Sequence, residues 1–412
     1  MNRWLVVLGA PILLAAGLAL APSSAARLAP SPTLVSQRPL SPFAIHPRQP
    51  VGLPEQVSDQ DTSSLTAVHF VDARHGWVAG LGWILATADG GQTWAPQIST
   101  TDPIASFAFV DPSTGWAVGR HSFVGTTDGG QTWQRRDETT PDLAAVSFAT
   151  RAVGWGLAGM APPRGQPAAA PQPAPGAIAA TSDGGETWAP TAAQPAPMQS
   201  VCLADSDQGW AASHAGVWRT GDGGVTWTSV LVAPAESSGD AQPLREGFTA
   251  DVQCVDGDTA WVLFTAPGAM MQTGWALYRS GDAGATWTPV AQSGQFFPAT
   301  DAARGTGGWN RVRLAAVDAG TAYVVGTCVP CSPPGAAGSG TVSLGVSRDA
   351  GQSWQDLPPL PDTFGAAIVS APFAASFPTA EHGWLVAPGS TNLYATADGG
   401  TTWTSHPLDV SP

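Results

Sequence analysis

Seven aspartates in this chain sit in one recurring frame, and each offers chemistry. They are Asp89, Asp128, Asp183, Asp222, Asp282, Asp349 and Asp398, in TADGGQTW, TTDGGQTW, TSDGGETW, TGDGGVTW, SGDAGATW, SRDAGQSW and TADGGTTW. A carboxylate among glycines can ligate calcium, act as a catalytic acid or close a turn. Calcium takes several oxygen ligands at alternating positions, and each frame offers one carboxylate with no second acid at a useful spacing. A catalytic acid works from one special environment, not from seven equivalent ones. The turn fits best. Its Asp accepts backbone N–H groups two or three residues on. The second Gly (Gly91, Gly130, Gly185, Gly224, Gly284, Gly351, Gly400) suits a left-handed backbone. The Thr or Ser hydroxyl closes the turn, and the Trp packs between strands with its N–H satisfied. The seven aspartates are therefore read as structural, and no metal or cofactor is expected.

The elements that carry these turns come from a second repeat. An aromatic anchor precedes each frame: Trp77, Trp116, Trp155, Trp210, Trp261, Tyr323 and Trp384, mostly in a GWxxG-like stretch. Residues nine and seven before the anchor are apolar (Val68 and Phe70, Phe107 and Phe109, Val146 and Phe148, Val201 and Leu203), with a small or polar residue between. That period of two is an inner strand. The anchor strand follows, a third strand runs into the frame, and a fourth starts at its Trp. Asp89 and Asp128 are 39 residues apart, as are Asp183 and Asp222, which is the size of a four-stranded propeller blade. One blade exposes two apolar faces that only a closed ring buries. The fold class is all-β, a seven-bladed β-propeller with four antiparallel strands per blade over residues 62–412.

On such a ring the inner-strand turns and the aspartate turns share one face. Connections between strands two and three, and between blades, share the other. Every insertion falls in the second set: about 157–177, 264–275 and 327–341 within blades, and about 230–249, 289–309 and 355–372 between them. Variable loops on a rigid scaffold are where binding is usually placed. Near the channel, Asp251, Arg311 and Arg313 interrupt an otherwise small or apolar inner-strand position. They are candidates for ligand contact, with a structural salt link as the alternative. Arg135 and Arg136 read as a solvated strand edge. Cys202 and Cys254 lie eight and seven residues before their anchors in adjacent blades. If the Cys202 face looks toward the next blade, both point into one seam and a disulfide is reasonable. With the opposite handedness they point apart. Cys328 and Cys331, in CVPC, read as a local disulfide rather than a metal pair.

Composition bounds the rest. The formal net charge is −14, and all 17 basic residues are Arg. There is no basic stripe for nucleic acid, and tight binding to anionic membranes is not expected. Residues 1–26 carry an early Arg, an apolar run from Leu5 to Leu20 and the small-residue site Ser24-Ala25-Ala26, the grammar of a signal peptide, with an uncleaved anchor as the alternative. Residues 27–61 are a Pro- and Ser-rich linker. Export would permit disulfides.

These motifs resemble the Asp-box, or BNR, repeat of sialidases, sortilin-like receptors and some xyloglucan hydrolases. Paired with stretches such as FVDPSTGWAVG, they look most like the Ycf48/HCF136 family, whose founding members assist photosystem II assembly. The resemblance covers roughly residues 62–406. It implies a non-catalytic propeller that acts as a protein-binding scaffold or assembly factor; the signal sequence makes the expected location extracytoplasmic, and a monomer is expected. The alternatives are a sialidase-like propeller that binds or hydrolyses glycans, and a structural or adhesive module. The sialidase pattern itself is not matched. Those enzymes use an arginine triad, a Tyr–Glu pair and an acid Asp. Here the three tyrosines are Tyr278, Tyr323 and Tyr394, Tyr323 occupies an anchor, and the six Glu are scattered. The expectation is therefore no enzymatic activity, with a protein or glycan partner at the cell envelope.

Overall fold

The computed structural model describes residues 65–80, 82–99, 103–119, 122–136, 142–159, 176–192, 194, 197–234, 248–266, 274–293, 309–328, 340–362, 364, 373–387 and 390–408. These residues form 28 strands in seven four-stranded antiparallel sheets, each built from four consecutive strands. The blades span residues 65–99, 104–135, 143–190, 200–232, 249–293, 310–357 and 374–407. The expected seven-bladed propeller is the observed fold, and no helix occurs among the described residues. The signal segment, the linker, Cys331 and most of each insertion lie outside them.

Burial across a blade explains the strand chemistry. The inner strand of blade 1 (Leu65–Phe70) buries Leu65, Ala67, Val68 and Phe70 and leaves Thr66 and His69 half-buried. The second strands of blades 1 to 4 are buried along their whole length, because both faces meet a neighbouring sheet. The fourth strands of the same blades are largely exposed. The core thus lies between sheets, at the level of the anchors, all of which are at most 2% exposed.

Seven seams join the blades, and four share one clasp. The anchor of one blade stacks on the Phe seven residues before the next anchor: Trp77 on Phe109 and Trp116 on Phe148 at 3.5 Å, Trp384 on Phe70 at 3.6 Å, Tyr323 on Phe377 at 3.9 Å. Such a pair adds about 0.5–1.5 kcal/mol beyond the area it buries. The same anchors reach the next blade's aspartate turn: Trp77 Nε1 donates to Gly129 O (3.4 Å), Trp116 to Gly184 O (2.8 Å), Trp384 to Gly90 O (3.1 Å) and Tyr323 OH to Gly399 O (3.3 Å). The Trp384 clasp closes the ring, blade 7 onto blade 1, without exchanging a strand between them.

The other three seams lack the Phe. Leu203, Cys254 and Ala316 stand in its place, and other groups cover the anchors. Trp155 packs on Trp227 of the next blade at 5.3 Å. The Arg219 guanidinium lies 5.4 Å from the Trp210 ring centroid, and that of Arg279 lies 5.4 Å from the Trp261 centroid. Arg279 also donates from Nε and Nη2 to Ala319 O of blade 6 (3.0 and 2.8 Å). Both arginines sit directly across the strand pair from the Trp they cover. Blades 4 and 5 are further joined by the Cys202–Cys254 disulfide. The Cys202 face does look toward the next blade.

Candidate functional site

The aspartate turns are one device built seven times. In each, the hydroxyl two residues before the Asp donates to Oδ1 at 2.7–2.9 Å. That hydroxyl accepts the N–H of the second Gly at 2.8–3.0 Å. The residue four after the Asp closes the loop twice. Its N–H donates to Oδ1 at 2.8–2.9 Å and its hydroxyl to Oδ2 at 2.5–2.7 Å. The main backbone donor is therefore four residues on, not two or three, because the glycine pair at positive φ swings the chain back over the carboxylate. The Thr93 hydroxyl, then its N–H, hold Asp89 at a pKa of about 2. The hydroxyls of Thr226 and Thr220 do the same for Asp222. An acid so placed is ionised at neutral pH and cannot deliver a proton.

A second expectation about this turn needs correction. Trp94 Nε1 donates to Gly91 O and Trp354 Nε1 to Val290 O (3.1 and 2.9 Å). The indole N–H groups of Trp133, Trp188, Trp227, Trp287 and Trp403 have no hydrogen-bond partner. Trp133, Trp188 and Trp403 instead pack edge-on against Phe109, Phe148 and Phe377 at 6.1–6.3 Å. An edge-on aromatic pair adds about 0.5–1.5 kcal/mol beyond its buried area, which offsets part of the cost of the unpaired N–H.

The inner-strand turns lie against the aspartate turns in every blade. The first residue after each Asp donates its N–H to a carbonyl of the inner-strand turn at 2.8–2.9 Å, from Gly90 to Arg74 O around to Gly399 to Glu381 O. Asp72, Asp111, Asp205, Asp256 and Asp318 each accept two N–H groups of their own turn, and Thr150 and Thr379 do so with a hydroxyl. This face is uniform and filled with its own hydrogen bonds. Arg136 belongs to it as well. It is half-buried and donates to Gly184 O of blade 3, so it clamps the next turn and is not a solvated edge residue.

The channel wall is less uniform. An inner strand has one edge unpaired, and in several blades a side chain of the preceding blade caps its N–H groups. Ser376 accepts from Phe70 N (2.8 Å), Ser147 from Leu203 N (3.0 Å) and Ser200 from Val252 N (2.9 Å). Gln253 Oε1 accepts from Ala316 N (2.9 Å). Asp251 shares this wall on the inner strand of blade 5 (Thr249–Cys254), two residues from its loop-face end. Its Oδ2 accepts from Gln253 Nε2 at 3.1 Å, and that Nε2 also donates to Leu314 O at 2.9 Å. Burial raises the Asp251 pKa, against the opposing pull of the Arg313 charge and the Gln253 hydrogen bond.

Arg313 occupies the equivalent place on the inner strand of blade 6 (Asn310–Ala316). It is exposed, and its guanidinium rests 5.8 Å from the Phe373 ring centroid. Val252 packs toward blade 4 with Trp210, so Asp251 faces blade 6. Val312 and Leu314 pack toward blade 5 with Trp261, so Arg313 faces blade 7. The two charges therefore sit on successive seams, and they are not among the ion pairs of the described residues, His75–Asp72 and Arg151–Asp111. No direct salt link joins Asp251 and Arg313, and the Arg313 charge acts on Asp251 without ion-pair contact. The Arg311 and Cys328 side chains lie outside the described set. A one-residue bulge falls at Arg311–Val312, but blades 1, 2 and 3 carry one at the same level, so it belongs to the ring and not to the site.

Sequence reasoning missed Gln253 and Phe373, since neither carries a motif. It also missed a tyrosine–carboxylate contact: Tyr394 OH donates to Asp362 Oδ2 at 2.6 Å. Tyr394 is 1% exposed and is pushed up to about 12 by burial and by Asp362. It stays protonated and buried, which suits packing between blades 6 and 7.

No family of known proteins matches the sequence, and none of the curated proteins does. Solved structures do match the fold. An ancestral GH74 enzyme aligns with a TM-score of 0.54 at 12% identity over 84% of this chain and 46% of that chain, so this chain spans about half its length. The GH74 xyloglucanase of Xanthomonas campestris aligns at 14% identity over 85% of this chain and 74% of that one, with a TM-score of 0.42. PorZ of Porphyromonas gingivalis, a bacterial surface component of the type-IX secretion system, aligns at 10% identity over 85% and 38%, with a TM-score of 0.48. At such identity the likeness is one of fold. It nonetheless corrects the expectation of a protein without enzymatic activity. That expectation rested on the missing sialidase residues, and rings of this fold include glycoside hydrolases that the comparison with sialidases did not address.

Proposed function

We propose that the protein is an extracytoplasmic, carbohydrate-active propeller that takes a glycan at the loop-face mouth of its channel and presents Asp251 as an acid. Asp251 carries the reading. It is a partly exposed carboxyl in the channel wall, its pKa is raised by burial, and among the described residues it forms no ion pair, the Arg313 charge acting on it from the next blade. A carboxyl whose pKa is raised holds its proton to higher pH than an ordinary one, the direction that protonation of a glycosidic oxygen asks for. The seven turn aspartates have the opposite character. Seams 4/5 and 5/6, which flank Asp251, are two of the three at which the ring abandons its Trp–Phe clasp, and breaks in a repeat's own rule are expected at functional positions. The Cys202–Cys254 disulfide fits an oxidising compartment.

The test is a panel of soluble polysaccharides, scored for binding by affinity electrophoresis and for new reducing ends. Wild-type protein is expected to bind and cleave at least one member. Asp251→Asn is expected to keep binding and lose cleavage by two or more orders of magnitude. Neither binding nor cleavage across the panel, in folded protein, would end this reading.

A further inference from the structure

Among the described residues, Arg313 has neither an ion-pair partner nor a hydrogen bond beyond its neighbour Val312. Elsewhere arginines on the ring have structural work: Arg136 holds the turn of blade 3, Arg151 pairs with Asp111 at 3.0 Å, and Arg219 and Arg279 cover Trp210 and Trp261. Arg313 has no carboxylate partner among the described residues. Its hydrogen bond within the protein runs from Nη1 to the neighbouring Val312 O at 3.5 Å, the outer limit of such a contact. Its guanidinium is nevertheless held in place. Phe373, 4% exposed and packed in the core between blades 6 and 7, lies beneath it at cation–π distance. A planar guanidinium fixed on a ring with unspent N–H donors is a fork that matches a carboxylate. Fixing it beforehand lowers the ordering cost of binding.

Its surroundings narrow the ligand further. Asp251 and Gln253 lie one blade away, facing blade 6, and Asp251 Oδ1 is not engaged in a hydrogen bond among the described residues. Gln253 is committed within the protein and holds Asp251 in place, so Asp251 Oδ1 is the acceptor offered to a hydroxyl group beside the carboxylate. We propose that Arg313, on its Phe373 platform, is the specificity residue for a uronic-acid unit of the glycan. The proposal rests on the carbohydrate reading above and names the substrate class within it. The net charge of −14 does not oppose it at working salt. Charges more than about 8 Å away are screened at 0.15 M, whereas Arg313 would touch the ligand.

The experiment compares three probes on the full chain at 0.15 M salt: polygalacturonate, the same polymer with its carboxyl groups reduced to alcohols, and poly-glutamate. Wild-type protein should bind polygalacturonate at least about tenfold more tightly than the reduced polymer. Arg313→Gln should remove that preference, while Arg313→Lys should recover only part of it. Equal affinity of wild type and Arg313→Gln for polygalacturonate overturns the proposal. So does binding of neutral glycans alone, which leaves the carbohydrate reading standing. Binding of poly-glutamate through Arg313 with no glycan bound overturns both. An unchanged thermal midpoint for Arg313→Gln confirms that the ring is intact in these comparisons.

Discussion

Removal of the disulfide between blades 4 and 5 can be worked through in numbers. Cys202 and Cys254 are 52 residues apart. The loop-closure model gives an unfolded-state entropy loss near 14 cal/mol/K for a loop of that length, about 4 kcal/mol at 25 °C. Ser at both positions is a mild native-state change. Ser147 and Ser376 already occupy the Cys202 position in blades 3 and 7, where each caps the N–H of the next inner strand as Cys202 Sγ caps that of Cys254 at 2.9 Å. Unfolding entropy of about 2.1 cal/mol/K per residue over residues 65–408 then converts 4 kcal/mol to a fall in Tm of roughly 6 °C. The assay is thermal unfolding of Cys202→Ser, Cys254→Ser and the double variant. Substitution is preferable to reductant, which would also reach Cys328 and Cys331. Each single variant should lose nearly as much as the double, because one cross-link needs both sulfurs. A double variant within about 1 °C of wild type, or single losses that sum to the double, would refute the cross-link argument.

The turn aspartates predict acid sensitivity. Their folded pKa values lie below the ordinary carboxylate value, with Asp89 and Asp222 at about 2, so their contribution is complete above pH 4 and is lost as pH falls toward 2. Tm should be level from pH 7 to 5 and drop below pH 4, less steeply in Asp89→Asn, and a Tm unchanged between pH 4 and 2.5 would contradict this. In two of the turns Ala283 and Ala350 hold φ of 58° and 62°, where five other blades have Gly. Replacing both with Gly should relieve about 1–2 kcal/mol of backbone strain each, less about 0.5–1 kcal/mol for added chain freedom. The denaturant midpoint should rise, and a midpoint equal to or below wild type argues against the strain.

Local signals made most of the fold legible. Each aspartate turn closes within seven residues, from the hydroxyl before the Asp to the hydroxyl four after it, so its chemistry is written in one short window. The count of seven and the four strands per blade follow from repetition of that window. What lay between windows was harder to read. Alternation shows which residues share a face of a strand, but not which neighbouring blade that face meets. For this reason the Cys202–Cys254 pairing stood open until the handedness was known. Arg136 looked like an exposed pair member with Arg135, yet it reaches 48 residues along the chain to Gly184 O.

The sequence by itself determined the repeat, the turns and the ring, because these rest on contacts between near neighbours and on a period of two. Only the tertiary structure decided how the ring closes, through Trp384 on Phe70, and which anchors lose their clasp and gain an arginine instead. It also separated two sets of carboxylates that look alike as letters. The seven turn aspartates are held ionised by hydroxyl and N–H donors from their own loops. Asp251 is pushed the other way by protein packed around it from adjacent blades. A carboxyl's pKa depends on everything within a few ångströms, and around Asp251 that neighbourhood is assembled from strands as far as 63 residues apart in the chain.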